Sequence, residues 1–431
     1  MASLRRDLQT MLDGFRGVQA PPFTRRQPRR SDRLRAQQAP HTETPQTPQT
    51  LLNPQTLGLL KPRPLVVRQI VRETDSAVTL VLADEHGQPL PFFAGQFFTL
   101  LVPCDPRGGA PLRRAYSACT SPLDADGQPA RTVAITCKRV AGGIVSNYLN
   151  DRVAVGDVLQ VLGPSGHFTP QPAADKRRHV VLIGGGSGIT PLMSILRTLL
   201  SCEPASRITL LYGNRQPSEI LFRTALSDLA AQHPDRLRVR HVVDEAPADW
   251  TGGQGLLDEK NLQKELHALS LLPAQNDAAE ALPFEFYLCG PAPMMAAARR
   301  VLSTAGVTEQ QIWEERFASL HDPVTIGGAA NTPVAMQLRV GKLTGAGKAS
   351  ATEISVVVKP GETLLEAGLA AGAKLPFSCA MGGCGACKGR LRKGDVVMSE
   401  PNCLTSGERA QGYILPCIAK PTGAVQVEVE S

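Results

Sequence analysis

The chain has 431 residues, which is enough for two to four domains with separate cores, and a formal net charge of +7 at pH 7. Much of the excess positive charge lies in the first 35 residues, which hold nine arginines against three aspartates. The net charge therefore says little about the partners of the folded domains. No apolar run of about 18 residues is free of glycine, proline and charge, which excludes a membrane-spanning helix. The ten cysteines, without an evident secretion signal, indicate a reducing compartment, so we expect a cytoplasmic protein.

Residues 1–61 are expected to form a basic and largely disordered extension. Near its start, apolar residues recur at helical spacing and predict a short amphipathic helix: Leu4, Leu8, Met11, Leu12, Phe15 and Val18. The Pro-, Gln- and Thr-rich segment that follows cannot build a core. Such a helix is typical of partner docking, peripheral membrane contact or import, while a functionally silent extension is the simpler interpretation. Only charge supports a nucleic-acid role, so we expect no nucleic-acid partner.

Short β-rich runs separated by turn residues fill residues 62–174. Six runs have this character: LVVRQIVRE, AVTLVLADE, FFAGQFFTLLV, RRAYSAC, TVAITCKRV and VGDVLQVLG. Their composition and regular spacing predict a small antiparallel β-barrel.

Two short motifs in this region suit a flavin. Arg114, Tyr116 and Ser117 stand in an R-x-Y-S strand, which offers a cation for phosphate, an aromatic ring for stacking and a hydroxyl for hydrogen bonding. Alone, this pattern also fits an ordinary strand. The second motif, GGIVS at 142–146, predicts the start of a short helix, where glycines and a hydroxyl form an anion site.

Strands alternate with helices over residues 175–320, which predicts a doubly wound α/β domain with a parallel sheet. The turn after its first strand reads GGGSGITP, where glycines permit a tight turn and a helix N-terminus meets a pyrophosphate. It is not a strict G-x-G-x-x-G, so as a dinucleotide pattern alone it is weak. The candidate contacts are Gly184, Gly185, Gly186, Gly188 and Thr190.

Two later positions in this domain are further candidates for nucleotide binding. Arg215 ends the second strand, where it either meets a 2′-phosphate or merely caps the strand, so NADH and NADPH both stay open. Cys289, Gly290 and Pro291 end the fourth strand, beside the expected nicotinamide. A buried cysteine at such a position also fits simple packing.

A linker over residues 321–333 precedes the last domain, residues 334–431, which we expect to be an α+β, β-grasp-like fold. VAMQLRV and EISVVVK alternate as strands. Thr363 and Glu366 predict a capping box at the start of an Ala/Leu helix.

Cysteines with the spacing C-x4-C-x2-C follow that helix. Cys379, Cys384 and Cys387, with Cys417 further on, match the plant-type ligand set of a [2Fe–2S] cluster. Cys403 competes with Cys417 for the fourth position, but it follows Pro401 and Asn402 in a predicted turn, so Cys417 is preferred. Structural zinc is the main alternative, although it usually takes two short cysteine pairs and this region has one.

These motifs, in this order, resemble the ferredoxin–NADP reductase superfamily. The R-x-Y-S strand, the GGIVS helix start, GGGSGITP and the C-G-P turn match its flavin and nucleotide domains, and the cysteine spacing matches plant-type ferredoxins. The domain order resembles phenylacetyl-CoA epoxidase reductases, ketosteroid hydroxylase reductases and phthalate dioxygenase reductases over residues 62–431. Ala380 and Met381 depart from the pattern, because many relatives carry a basic residue there.

The resemblance implies a flavin held by Arg114, Tyr116 and Ser117, with further residues along its phosphates, namely Gly143, Val145 and Ser146. FAD is the expected flavin, and FMN, as in phthalate dioxygenase reductases, is the alternative. An aromatic residue near the end of the nucleotide domain covers the flavin in relatives, so Phe317 is the candidate here, with core packing as the other interpretation. Ser117, Cys289 and Phe317 are the candidate catalytic residues.

The family implies an NAD(P)H-dependent oxidoreductase that passes electrons through FAD and [2Fe–2S] to a terminal oxygenase, hydroxylase or desaturase. One alternative is a different acceptor, such as a hybrid-cluster protein. Another is a redox sensor that keeps its cofactors but has no catalytic turnover.

Overall fold

The computed structural model describes residues 62–104, 111–272, 282–317, 328–341, 352–377, 379, 382, 385–399, 402, 404 and 406–430. The predictions for the N-terminal extension therefore lie outside the described residues, as do those for most of the linker and for Cys384 and Cys403. The described residues, apart from the turn at Leu123–Gln128, belong to one compact unit.

The first sheet contains all six predicted strands of the barrel. They are β1 (Arg63–Thr74), β2 (Ala77–Asp84), β3 (Phe97–Val102), β4 (Leu112–Ser117), β5 (Thr132–Lys138) and β6 (Val158–Ser165). The strand order is β4-β3-β6-β1-β2-β5, and an antiparallel bridge between Ala118 and Ile135 joins the two ends. Apolar side chains from every strand fill the interior. The helix α1 (Ile144–Asp151) adds Val145 and Leu149 to this core.

The second sheet is entirely parallel, as predicted for a doubly wound domain. Its strands are β7 (His179–Gly185), β8 (Arg207–Asn214), β9 (Leu237–Val243), β10 (Gly253–Gln254), β11 (Phe284–Cys289) and β12 (Ile312–Glu315), in the order β10-β9-β8-β7-β11-β12. Its helices are α2 (Ile189–Cys202), α3 (Arg223–Gln232), α4 (Glu259–Ala268) and α5 (Ala292–Thr304). Alternate residues of β7 face two separate cores, so both faces of the sheet are covered.

Two elements of this domain were not predicted. The sequence of α4, EKNLQKELHA, is mostly polar and buries only Leu262, Glu265 and Leu266, so its apolar stripe is too narrow to recognise. Strand β10 has only two residues, which is too short for a pattern of alternation.

The third sheet and its helix confirm the predicted α+β fold of the last domain. The strands β13 (Val334–Val340), β14 (Thr352–Val358), β15 (Gly389–Lys393), β17 (Tyr413–Ile414) and β19 (Val425–Val429) are ordered β14-β13-β19-β15-β17. A two-stranded sheet, β16 (Val396–Met398) with β18 (Ala419–Pro421), and the helices α6 (Leu364–Ala370) and α7 (Ser406–Ala410) complete it. The predicted capping box is present, since Thr363 Oγ1 accepts the Glu366 N–H at 3.2 Å and Glu366 Oε2 accepts the Thr363 N–H at 2.9 Å.

Among the helices of the described residues, none has both the length and the apolar character needed to cross a membrane.

Candidate functional site

The predicted flavin residues lie on both faces of β4. Arg114 and Tyr116 are opposite the core residues Leu100 and Phe98 of β3, so they share the interior face, whereas Ser117 lies on the outer face. The Tyr116 hydroxyl accepts a hydrogen bond from the Cys137 thiol at 3.3 Å. Burial raises the pKa of Tyr116, so the hydroxyl stays neutral.

The helix α1 begins without a side-chain cap. Gly143 precedes the helix and offers no hydrogen-bonding side chain, so the first N–H groups are open to an anion. Ser146 is engaged by its own loop, since its Oγ accepts the Val140 N–H at 3.1 Å and donates to the Gly143 carbonyl at 3.4 Å. Val145 is buried in the barrel core. The helix starts of α4 and α6, by contrast, are capped by the side chains of Asp258 and Thr363.

The glycine-rich turn of the nucleotide domain packs directly against the Cys289 turn. A Cβ at Gly188 would lie 2.1 Å from the Cys289 carbonyl oxygen, so only glycine fits there. Gly185 is also confined, though less closely, because a Cβ there would lie 2.7 Å from the Pro291 ring and 2.8 Å from the Met294 sulfur. Two motifs that are distant in the sequence therefore form one surface at the carboxyl edge of the sheet.

Hydrogen bonds hold the shape of this turn. The Tyr212 hydroxyl donates to the Gly186 carbonyl at 2.9 Å, and Thr190 Oγ1 donates to the Ser187 carbonyl at 3.0 Å. Neither α2 nor α5, which begin here, has a side-chain cap. At α2 the carbonyls of Gly186 and Ser187 accept the Ile189 N–H, so the N–H groups that remain for a pyrophosphate are those of the glycine-rich turn, which also has no side-chain cap, and those at the start of α5.

Cys289 is fully buried, and its strand neighbours are Gly184 on one side and Glu315 on the other. Burial, and then the charge of Glu315, raise the pKa of the Cys289 thiol, which is therefore neutral. Sequence reasoning assigned no role to Glu315, and the parallel pairing of β11 with β12 places it beside Cys289. Phe317, just beyond β12, is 43% exposed, so core packing does not account for it.

Arg215, the candidate for a 2′-phosphate, forms an exposed ion pair with Glu245. Its Nε lies 2.6 Å from Glu245 Oε1, and the Gln216 amide donates to the other oxygen of the same carboxylate. Hydrogen bonds from Gln216 and Arg215 lower the pKa of Glu245, so it is charged at neutral pH.

Two shielded polar groups near this edge fit a bound nucleotide. Both polar atoms of the Asn214 amide, and Nδ1 of His241, are removed from solvent and reach no hydrogen-bond partner within the described part of the chain. Burial, with the charge of Arg223, lowers the pKa of His241 to about 4, so the ring is neutral. Buried polar groups are normally satisfied, so a ligand that donates and accepts hydrogen bonds suits these two.

The flavin and nucleotide regions are fastened together. Ser194 Oγ donates to the Thr120 carbonyl at 2.6 Å, and Arg197 Nη1 donates to the Cys119 carbonyl at 3.1 Å. Both acceptors follow Ser117 closely, and both donors lie on α2, which starts at the glycine-rich turn. The two sets of predicted residues thus lie on elements that contact each other directly, over a continuous hydrophobic core.

Three of the four predicted cluster ligands are brought together. Cys379, Cys387 and Cys417 are buried, and no described cysteine forms a disulfide. A hydrogen bond with Cys387, burial, and the charges of Cys387 and Cys379 raise the pKa of the Cys417 thiol, whereas the Gly382 N–H lowers it. Gly382 has φ +80°, which favours glycine.

The donor set fits an iron–sulfur cluster. Three neighbouring thiolates repel one another, and bound iron removes that repulsion. The Gly382 N–H directed at Cys417 is the kind of contact that stabilises a ligating sulfur. Cys384, the remaining predicted ligand, lies outside the described residues.

Comparisons with known proteins agree with this arrangement. Family models described as an oxidoreductase FAD-binding domain, an oxidoreductase NAD-binding domain and a 2Fe-2S iron-sulfur cluster binding domain match residues 64–169, 182–300 and 348–422. The chain is 34% identical to a component of 1,2-phenylacetyl-CoA epoxidase of Escherichia coli strain K12, over 85% of this chain and 97% of that protein. It is 36% identical to the ferredoxin reductase component of 3-ketosteroid-9-alpha-monooxygenase of Mycobacterium tuberculosis strain CDC 1551, over 83% of this chain and 92% of that protein.

A solved structure has the same fold over most of the chain. Phthalate dioxygenase reductase, described as a modular structure for electron transfer from pyridine nucleotides to [2Fe–2S], matches with a TM-score of 0.51 and 22% identity. The match covers 90% of this chain and 100% of that one, so the similarity extends to all three sheets.

Proposed function

We propose that this chain is the reductase of an oxygenase system. It belongs to the oxidoreductase family that includes the phenylacetyl-CoA epoxidase component and the 3-ketosteroid-9-alpha-monooxygenase reductase. It would take electrons from NAD(P)H and deliver them, through FAD and a [2Fe–2S] cluster, to a separate terminal oxygenase, hydroxylase or desaturase. The observation that carries the proposal is the direct contact by which α2 ties the glycine-rich turn to the loop that follows Ser117.

The chemistry has a simple requirement: bound flavin accepts two electrons together from a nicotinamide and the cluster takes them one at a time. The chain's own residues bind and orient these groups. Arg114 would supply positive charge for the flavin phosphate, and the uncapped start of α1 at Gly143 would supply N–H groups. Tyr116 would pack on the flavin, and the Ser117 hydroxyl would hydrogen-bond to it.

On the nucleotide side, the residues provide shape and neutral surfaces. The turn from Gly184 to Gly188, just before α2, would hold the pyrophosphate, with Thr190 fixing the turn. Cys289 would place a neutral thiol beside the nicotinamide, and Phe317 would cover the flavin face from its exposed position. Gly290 and Pro291 would leave room for the ring.

The domain boundaries expected from the sequence are proposed to hold: a flavin barrel at 62–174, a nucleotide domain at 175–320 and a ferredoxin domain at 334–431. Cys384 is proposed as the fourth cluster ligand. A cytoplasmic location would suit thiolate ligands that must stay reduced before the cluster assembles.

An anaerobic titration of the purified protein with NAD(P)H tests this function. We expect the flavin absorbance to bleach and the low-temperature EPR signal of a reduced [2Fe–2S] cluster to appear, followed by multiple turnovers with cytochrome c. A protein free of flavin and iron after reconstitution would contradict the proposal. Cofactors that are reduced once, without turnover, would instead indicate the redox sensor.

The Arg215–Glu245 pair further favours NADH over NADPH. The Glu245 carboxylate is ionised and holds the guanidinium, so a 2′-phosphate would have to displace it and would meet its negative charge. Glu245 follows the third strand, β9, but its N–H bonds the Arg215 carbonyl just beyond the second strand, so its carboxylate is also placed to accept hydrogen bonds from the ribose hydroxyls of NADH.

Replacing Glu245 with glutamine tests the preference. We expect wild-type protein to bind NAD⁺ more tightly than NADP⁺, and E245Q to bind NADP⁺ roughly five- to tenfold more tightly than wild type, because one repulsive charge is gone. Dissociation constants from calorimetric titration measure this. The neighbouring exposed acid offers a control, since D244N removes the same charge but not this pair. Tighter binding of NADP⁺ by the wild type would refute the preference.

A further inference from the structure

The cluster loop and the flavin barrel meet at a seam of four residues: Thr99, Arg113, Glu366 and Cys379. Thr99 Oγ1, on β3, donates a hydrogen bond to the Cys379 main-chain carbonyl at 3.3 Å. Both residues are buried, at 3% and 5% exposure. Arg113 Nη2, on β4, lies 3.4 Å from Glu366 Oε1, on α6.

The seam lies on the outer face of the two strands that carry the flavin motif. Thr99 is directly opposite Ala115 in the β3–β4 pair, and Arg113, Ala115 and Ser117 alternate onto the same face of β4. Ser117, the residue proposed to contact the flavin, is therefore two positions from the partner of Thr99. On the other side of the seam, Cys379 is a proposed cluster ligand.

The two contacts lie at Glu366 and Cys379, the two ends of the segment that leads to the proposed cluster. Glu366 uses one carboxylate oxygen for Arg113 and the other for the Thr363 N–H in the capping box, so the ion pair is built on the start of α6. Thr99 holds the other end of this segment at Cys379. The ion pair is about one-third exposed at each partner, so salt screens it, whereas the buried hydrogen bond is insensitive to salt.

We propose that Thr99 is a positioning residue for electron transfer between the flavin and the cluster, with the Arg113–Glu366 pair as a weaker second contact. The Thr99 hydroxyl holds the Cys379 main chain against β3, the strand paired with the one that carries Ser117, and so sets how often the ferredoxin domain is docked for transfer. This rests on the proposed function. Each NADH supplies two electrons, which cross the seam in two single-electron steps while the accompanying proton goes to solvent.

The test replaces Thr99 with valine, which keeps the shape of the side chain and removes the hydroxyl. T198V is the matched control, because Thr198 is also buried and also donates to a carbonyl, that of Ser194, but within α2. We expect T99V to keep its cofactors and its rate of flavin reduction by NADH. Its rate of cluster reduction, followed by stopped-flow absorbance and freeze-quench EPR, should fall about fivefold, the effect of losing one buried hydrogen bond.

Hydrogen exchange gives a readout that is independent of turnover. Amides in peptides covering 97–104 and 364–377 should exchange about fivefold faster in T99V, because the seam opens more often, and at the wild-type rate in T198V. Unchanged exchange together with an unchanged rate of cluster reduction in T99V would overturn the proposal. A wild-type cluster that the reduced flavin never reduces would refute the proposed function instead.

Arg113→Gln provides the second variant, should T99V lose its cluster. R113Q should slow cluster reduction about twofold at low salt, and high salt should bring the wild type to the same rate. An R113Q rate equal to wild type, with no effect of salt on either, would count against a docking role for the seam.

Discussion

Replacing Cys387 with serine is expected to abolish electron delivery to the acceptor while leaving flavin reduction by NADH intact. Cys387 is buried and hydrogen-bonded to Cys417, another of the proposed ligands. A serine hydroxyl does not ionise near neutral pH and is a poor substitute for a thiolate on iron. We expect the cluster to be lost and the rate of cytochrome c reduction to fall at least about a hundredfold.

Two measurements separate this result from general damage. Iron analysis and low-temperature EPR report the cluster, and stopped-flow bleaching of the flavin by NADH reports the first half of the reaction. Cys202→Ser is the control, because Cys202 is a half-buried cysteine at the end of α2, outside the proposed sites. If C387S retained both an EPR-active cluster and full electron delivery, the ligand assignment would be wrong.

Replacing Gly188 with alanine should strongly destabilise the nucleotide domain. The added Cβ would lie 2.1 Å from the Cys289 carbonyl oxygen and 2.4 Å from its carbon, and both are main-chain atoms that cannot move without shifting β11. Overpacking of this kind costs about 3 kcal/mol in the free energy of unfolding, at the upper end of the usual range. That corresponds to a fall of roughly 10 °C in the melting temperature.

The same change is expected to weaken NADH binding, since the glycine-rich turn and the Cys289 turn would separate. Thermal unfolding followed by circular dichroism and a titration with NAD⁺ measure the two effects. Gly186→Ala is the matched control, because it lies in the same turn and a Cβ there meets nothing within 4 Å. Its positive φ should cost only about 1 kcal/mol. Equal stability of G188A and G186A would show that the close contact is not a constraint.

Local patterns accounted for much of the fold. All six barrel strands, the parallel sheet and the capping box at Thr363 follow from alternation, from runs of apolar residues and from turn chemistry. Two elements of the nucleotide domain without such a pattern, α4 and β10, were missed. Helix α4 is held by two buried leucines and by its cap at Asp258, a signal that a search for N-cap residues would have found.

For the site, the sequence identified the motifs but not most of their contacts. Arg215 was named as a candidate for a 2′-phosphate, and in the structure it forms an ion pair with Glu245. Glu315 received no role from the sequence, and the pairing of β11 with β12 sets it beside Cys289. Thr99 carries no motif at all.

The sequence by itself determined which chemical groups the chain carries and in what order, because a strand, a phosphate-binding turn or a cysteine loop is specified by a few neighbouring residues. Only the tertiary structure decided which of these meet: Gly188 on Cys289, and Thr99 on a carbonyl 280 residues away. The physical reason is that a close main-chain approach or one side-chain hydrogen bond to a carbonyl depends on how whole domains pack. Such contacts produce no periodic or compositional pattern in the sequence that could predict them.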